Sequence, residues 1–564
     1  MEEIRLTRRD AIVALMGTGA AAALASALAS CGRRGDRPLG FEGGFSVPDE
    51  ALGHRLRTPD LLARPAVRTE RVGTAILGGG VSGLSAAWTL ARAGDTDFRI
   101  YELESTPGGT AVSGENDVSR YPWAAHYVPV PAYPNPVLEA LLSEIGAITG
   151  RDAEDRPVYA EEMLCREPEE RLFFGFEWHP GLFPRAGASG NDLAQLARFE
   201  AEMAAYAAMR DAKGRRAFAV PTRRSSDDAE LTALDRMTMR EWMRTKNFDS
   251  PRLLWFAEYG CRDDFAGNLD ETSAWAGIHY YASRMAGASP DEEPAPFLTW
   301  PEGNGRLVRH LAASAAGRIA TGALVFDVRP RRAPKAPVVV RYLDAARDEV
   351  VEVEARAAVL ALPKFVAARV LAPWREAPPP FLREMGYAPW IVANLTLSAR
   401  PRERNVALAW DNVLYDSRSL GYVVATHQTG RRSGRDHGPT VFTWYHAFAG
   451  EAPRAAREKL FGMTWEEIAS AVLADLTKAH ADLPALVTRL DVARWGHAML
   501  RPAPGFLSSP VRRLPDEPLG GVRFAHADTG LPLFEDALDA GLRAAESILR
   551  ERGVRFSSLA SRLR

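Results

Sequence analysis

VGTAILGGGVSGLSAAWTLARAGDTDFRIYELESTPGGT, residues Val72 to Thr110, decides the fold. Val72–Leu77 is an apolar run of the length of a buried strand. Gly78, Gly80 and Gly83 then fit G-x-G-x-x-G, and Leu84–Ala93 has the composition of a helix packed on a sheet. A second strand is expected over Phe98–Tyr101. Glu102 follows the last of these glycines by about 20 residues, where a dinucleotide-binding unit wants a carboxylate. Gly78 permits the tight turn, Gly80 lets backbone approach a pyrophosphate, and Gly83 lets helix and strand pack closely. The helix start offers unpaired N–H groups and a positive dipole end to phosphates, and Glu102 can accept from ribose hydroxyls. Gly78, Gly80, Ser82, Gly83 and Glu102 are therefore candidate nucleotide contacts.

Working outward, the chain of 564 residues exceeds what one hydrophobic core usually serves, so two interlocked domains are expected. The formal net charge of -2, without a basic stripe carrying interleaved aromatics, gives no basis for nucleic-acid binding. The three cysteines, Cys31, Cys165 and Cys261, form no CxxC and no Cys/His cluster, which argues against a metal site and a disulfide framework. Cys165 and Cys261 read as buried thiols, with pairing in an oxidising compartment as the alternative.

At the N-terminus, Thr7-Arg8-Arg9-Asp10 precedes an uncharged, Ala-rich run from Ala11 to Ser30, the pattern of an export signal of twin-arginine type. Leu28-Ala29-Ser30-Cys31 resembles a lipobox, which makes Cys31 a candidate lipid anchor and the alternative a plain cleavage site. The expectation is an exported protein, periplasmic or held at the cell envelope, carried by the twin-arginine translocase. Residues 32–70 read as a linker. Helical patterns over Val137–Ile145, Asp192–Arg210, Leu231–Thr245 and Pro251–Tyr259 suggest an inserted helical lobe at 156–300. Strands are expected at Ala323–Val328, Val338–Leu343, Val350–Ala355 and Ala358–Leu362. A strand-rich section follows over 371–500, with Ile391–Leu397, Tyr422–Thr426 and Val441–Phe448 broken by a helix at Trp465–Ala479. Beyond Arg494 a Pro-rich loop leads to a last strand, turn and helix.

These residues resemble the FAD-dependent amine oxidase superfamily, which includes phytoene-desaturase-like relatives, from Val72 to Leu549. Ser105-Thr106-Pro107-Gly108-Gly109 matches the family's second glycine pair, at the flavin diphosphate. Val325 sits where the family holds the adenine by strand backbone. Ala527-Asp528 and Glu535–Ala545 match the closing motif, which implies Asp528 at the ribityl or diphosphate portion and the Asp536-Ala537 backbone at the pyrimidine end of the ring. The resemblance implies an α/β fold: a Rossmann-type FAD-binding domain assembled from segments 71–155, 301–370 and 501–564, with an α+β substrate domain. It implies noncovalent FAD, since no cysteine lies in the C-terminal third.

Departures from the family pattern bear on chemistry. Thr110 stands where many members carry Arg. The lysine that several members hold near flavin N5 is expected near the end of Ile391–Leu397, where Ala399-Arg400-Pro401 stands. The paired tyrosines of monoamine-oxidase-like members are missing near Ala498–Met499 and Leu533. His126 and His497 are the candidate acid/base groups. Trp123, Trp444, Tyr445 and Trp495 are candidate cavity walls, and Arg262-Asp263-Asp264 either reads a polar substrate or forms a solvated charge run or salt-bridged turn. Three functions follow. The first is an exported flavoenzyme that passes a hydride from an amine-like or related C–H small-molecule substrate to flavin N5, with oxygen or quinone as acceptor. The second is a desaturase- or dehydrogenase-type enzyme on a hydrophobic substrate with a quinone acceptor. The third is a non-catalytic flavin-binding accessory protein.

Overall fold

The computed structural model describes residues 39–58, 60–285, 297–403, 405–428, 438–509 and 517–563. Arg8, Arg9 and Cys31 lie outside the described residues, as does the whole signal-like segment. Gly43–Arg564 forms one compact unit. In chain order, the elements that frame the site begin with β1 (Arg68–Leu77), α1 (Val81–Arg92), β2 (Phe98–Tyr101), α2 (Pro251–Phe265) and α3 (Ala274–Ala282). They continue with β3 (Ile319–Ala320), β4 (Ala323–Arg329), β5 (Val338–Asp344), β6 (Glu349–Leu360) and β7 (Gly386–Leu397). The last are β8 (Thr440–Ala447), β9 (Val487–Arg501), β10 (Val522–Phe524) and α4 (Phe534–Glu551).

A seven-stranded sheet runs β3-β2-β1-β6-β5-β4, with β10 beside β6. β3, β2, β1, β6 and β10 run parallel to one another, while β4, β5 and β6 form an antiparallel meander. The strands come from three separated stretches of chain, giving an α/β Rossmann-type sheet built from discontinuous segments. β1 alternates between exposed and half-buried over its first half and is fully buried over its last five residues. That change is what a strand shows when helices cover both faces of its C-terminal half. α1 and α4 supply one cover, and Ser85 Oγ donates to Leu538 O at 2.6 Å between them.

The second sheet has eight strands and includes β9, β7 and β8 side by side, all antiparallel. The stretch 156–300 is not helical throughout. Its hairpin, Glu170–Phe174 with Glu177–Pro180, extends this second sheet by pairing with Asp411–Leu414. Three further expectations are corrected. Val350–Ala355 and Ala358–Leu362 are one twelve-residue strand, β6. The section through Arg494 is the fifteen-residue strand β9, not the start of a loop. The stretch expected as a linker is docked over residues 46–54. Asp49 N donates to Glu104 at 3.0 Å, and Arg494 forms a two-pronged ion pair with Glu50 at 2.9 and 3.0 Å. Among the described residues no helix is long and apolar enough to cross a membrane. Cys165 and Cys261 are both free and buried.

Candidate active site

The loop after β1 turns at Gly78, whose φ of +101° is open chiefly to glycine. At Gly83 an added Cβ would lie 1.9 Å from the Gly78 carbonyl oxygen, so helix and strand meet there with no room for a side chain. Gly80 is different: a Cβ would find nothing nearer than Gly109 Cα at 3.9 Å. The second glycine pair faces this first loop, and Gly108 N donates to Gly79 O at 2.8 Å. Two stretches of bare backbone thus border open space at the N-terminus of α1, where orphan N–H groups and the helix dipole favour an anion. Ser82 lines the same space. Glu102 closes the end of β2. Its carboxylate accepts from the N–H of Gly79 and, at 2.8 Å, from that of Glu104. Burial raises its pKa, and these N–H bonds pull against that. Each oxygen keeps capacity for sugar hydroxyls. Val325, just before a bulge in β4, lines an adjoining cavity of about 340 Å³ together with Glu102.

The main cavity, about 610 Å³, runs from the glycine loops to a chamber walled by Trp123, His126, Trp390, Tyr445 and Trp495. Four side chains fix the loop that carries His126. Asn394 Nδ2 donates to Pro122 O at 3.1 Å, Trp495 Nε1 to Trp123 O at 2.8 Å, Tyr445 OH to Ala124 O at 2.9 Å and Asn304 Nδ2 to Tyr127 O at 3.0 Å. The His126 ring lies 4.8 Å from that of Tyr445, with Nδ1 3.1 Å from Ala124 O. A carbonyl can only accept, so Nδ1 carries the proton and Nε2 a lone pair. Burial pushes this imidazole down to about 4. His497 stacks on Phe365 at 4.1 Å, and burial, with Arg457 and Arg57 nearby, pushes it down to about 3.

Carboxyls gather on one side of the chamber. Asp263 and Asp264, at the end of α2, line it together with Arg284, just beyond α3. Asp264 takes the guanidinium at 2.8 and 3.0 Å, whereas Asp263 accepts one hydrogen bond, from Tyr280 OH at 3.3 Å. Glu535, at the start of α4, also lines the cavity, and burial pushes it up to about 7. Asp528 is tied to the protein. It accepts from Lys364 N and Tyr387 OH, each at 2.7 Å, and from Lys364 Nζ at 3.1 Å. Burial alone would raise its pKa, but His526 and Lys364 hold it far below the carboxylate range.

The profile of the family described as flavin containing amine oxidoreductase matches residues 81–549. The chain belongs to the flavin-containing amine oxidoreductase family. As a member it is an FAD-dependent oxidoreductase. Its fold resembles that of a putrescine oxidase redesigned in its cofactor binding (TM-score 0.63, 16% identity, 86% of this chain and 100% of the other). The wild-type putrescine oxidase bound to putrescine gives 0.62 and 16%, with coverage of 86% and 100%. Cyclohexylamine oxidase from Brevibacterium oxydans IH-35A gives 0.59 and 15%, with coverage of 87% and 100%. No curated protein sequence matches the chain.

The flavin-containing amine oxidoreductase chain has the surfaces FAD needs. The open space at Gly80 and Gly109 suits a diphosphate, Glu102 and Val325 border the adjoining cavity for the adenosine half, and the cavity beyond leads to the aromatic chamber. Of the residues expected at the cofactor, Gly78, Gly80, Ser82, Glu102, Gly108, Gly109, Asp528 and Ala537 line the main cavity. Gly83 instead packs helix against strand. Asp536 is buried outside the cavity lining and accepts from Thr222 N and Oγ1. Trp123, Tyr445, Trp495, His126 and His497 all line the cavity. Trp444 does not: its indole N–H donates to Asp475 at 3.0 Å. Trp444 and Tyr445 are neighbours on β8, so their side chains point to opposite faces.

The residues of β7 that line the cavity are Tyr387 and Trp390, at the opposite end of the strand from Ala399-Arg400-Pro401, and among the described residues no lysine lines it. Ala498, Met499 and Leu533, where tyrosines were sought, do line it. Trp390, Asn304 and Tyr387 escaped the sequence reading. Period-two alternation would put Tyr387 and Trp390, three residues apart, on opposite faces. An irregularity in the pairing of β7 with β9 between Ala388 and Trp390 lets both line the cavity, and Asn304 stands just before a helix.

Proposed function

We propose that this flavoenzyme oxidises a cationic amine whose carbon skeleton lies in the aromatic chamber. The observation that carries this reading is the makeup of the chamber: an aromatic box with Asp263, Asp264 and Glu535 along it and one guanidinium, Arg284, to balance them. Aromatic faces attract an ammonium ion, and buried carboxyls in excess of buried cations favour a positively charged ligand. The bound flavin supplies the hydride acceptor. The chain's own residues orient the amine, exclude water and handle its proton. The likeness to putrescine oxidase and cyclohexylamine oxidase supports an amine over a hydrophobic desaturase substrate. An anaerobic donor panel tests the reading. Cyclohexylamine or putrescine is expected to bleach the flavin, whereas cyclohexanol is expected to leave it oxidised. Reoxidation by oxygen or by a quinone then assigns the acceptor.

We further propose that the protein is exported through the twin-arginine pathway. Arg8-Arg9 ahead of the uncharged Ala11–Ser30 run supports this. Replacing both arginines by lysine is expected to retain the protein in the cytoplasm, and unchanged export would refute the assignment.

A further inference from the structure

We propose that Asp263 is the proton acceptor for the substrate ammonium, an assignment that rests on the amine reading above. An amine must shed a proton before its α-carbon can lose a hydride, because the nitrogen lone pair drives that loss. In the proton step an N–H bond of the ammonium, RR′CH–NH3+ with R′ carbon or hydrogen, breaks and an O–H bond forms on the Asp263 carboxylate. Neutral RR′CH–NH2 remains, and no electrons leave the substrate.

Geometry separates Asp263 from Glu535, the other chamber carboxyl that burial pushes up to about 7. Glu535 accepts from its own backbone N–H and borders a small side pocket with Tyr133, whereas Asp263 interacts with the chamber residues Tyr127 and Tyr445. It lines the cavity at the end of α2, and among the described residues no ion pair reaches it. Its single side-chain hydrogen bond, from Tyr280, falls on Oδ2 and leaves Oδ1 uncommitted. Its neighbour Asp264 is occupied by both contacts from Arg284. Burial first, and the Asp264 charge second, push Asp263 up to about 7, with Arg284, Tyr280 and Arg262 pulling the other way. A base is most effective when its pKa lies near the working pH. By that measure His126, near 4, and His497, near 3, are poor acceptors at neutrality.

Other titratable groups share this field. From the second sheet, Glu170 is pushed up to about 7 and Asp411 is raised well above its ordinary value, burial being the first cause and Asp263 a further one in both. Tyr259 of α2 donates to Asp411 at 3.4 Å. Tyr127, Tyr281 and Tyr445 face Asp263 from the His126 loop, α3 and β8, and are held protonated, chiefly by burial. Asp263 thus faces the cavity within a group of buried carboxyls, Glu170 and Asp411 behind it, that can hold a proton near neutrality.

The test is anaerobic flavin reduction by cyclohexylamine or putrescine between about pH 6 and pH 10. In the wild type the rate is expected to rise through an apparent pKa near 7. Asp263→Asn should lower the rate at neutral pH by roughly 100-fold and move the rise toward the pKa of the free amine. Asp263→Glu should restore the rise near neutrality. An Asp263→Asn enzyme with the wild-type profile would overturn the assignment while leaving the amine reading intact. A wild type reduced by neither amine would remove the amine reading and this inference together. Should Asp263→Asn fail to fold, the infrared difference spectrum of the wild type on adding cyclohexylamine without oxygen at about pH 8 decides. A new protonated-carboxyl band on binding supports the assignment, and its absence overturns it.

Discussion

Gly80 and Gly83 stand three residues apart in one motif, yet the structure gives them different duties. At Gly83 a Cβ would overlap a carbonyl oxygen at 1.9 Å, so Gly83→Ala must push α1 off the sheet. Overpacking of that kind costs about 1–3 kcal/mol or more, and thermal melting is expected to show it with or without FAD. At Gly80 the Cβ would point into open space, so Gly80→Ala should leave the melting of the flavin-free protein unchanged while FAD affinity drops. Titration of the apoprotein with FAD checks this, and equal losses in both variants would contradict it. His126 makes a comparable contrast with Asp263. An imidazole near 4 is already neutral across the physiological range, and its ring is packed against Tyr445. His126→Gln is expected to slow flavin reduction by less than about 10-fold and to leave the pH profile in place.

Between elements, Lys364 and Asp528 tie the helix after β6 to the C-terminal segment. Both are almost fully buried, at 1% and 2% side-chain exposure. Breaking a buried pair by removing one partner leaves a charge without compensation, at about 3–5 kcal/mol. Lys364→Met should therefore lower the melting temperature sharply, and a double variant with Asp528→Asn should recover part of the loss. The strand, glycine turn and helix of Arg68–Arg92 were legible in sequence because their information is local: an apolar run, three glycines and a carboxylate at fixed spacing. β9 was not. Its run past Arg494 reads as loop, because the partners that hold it, Glu50 for Arg494 and the Trp123 carbonyl for Trp495, lie far off in the chain. Trp444 and Tyr445 show the same limit: alternation requires opposite faces, but only the packed sheet decides which face meets the cavity. The Arg262-Asp263-Asp264 run was visible, and its role was not, because Arg284, Tyr280, Glu170 and Asp411 come from distant elements.

Across the whole molecule, the buried carboxyls set a pH dependence. Burial raises Glu170, Glu535 and Asp536 to about 7, well above ordinary carboxylate values. In the native state these groups keep protons that the unfolded chain releases near pH 4. Their stabilising contribution is therefore full below about pH 4 and is lost as pH rises through 7. Asp528 acts oppositely, since its depressed pKa contributes above about pH 4 and is lost on acidification. The flavin-depleted protein is expected to melt at a lower temperature at pH 8 than at pH 5.5. Cyclohexylamine should raise melting more at pH 8, where the carboxylates are ionised. A melting temperature flat across that interval would contradict the burial of these groups.

One continuous cavity joins the glycine loops to an aromatic, carboxyl-lined chamber, where the proposed function has an amine oxidised. The absorbance spectrum of the purified, FAD-loaded protein, recorded without oxygen before and after adding cyclohexylamine or putrescine, tests it most directly. Loss of the oxidised flavin band with either amine is the expected result. A band that neither amine alters, in a protein whose flavin dithionite still reduces, would contradict it.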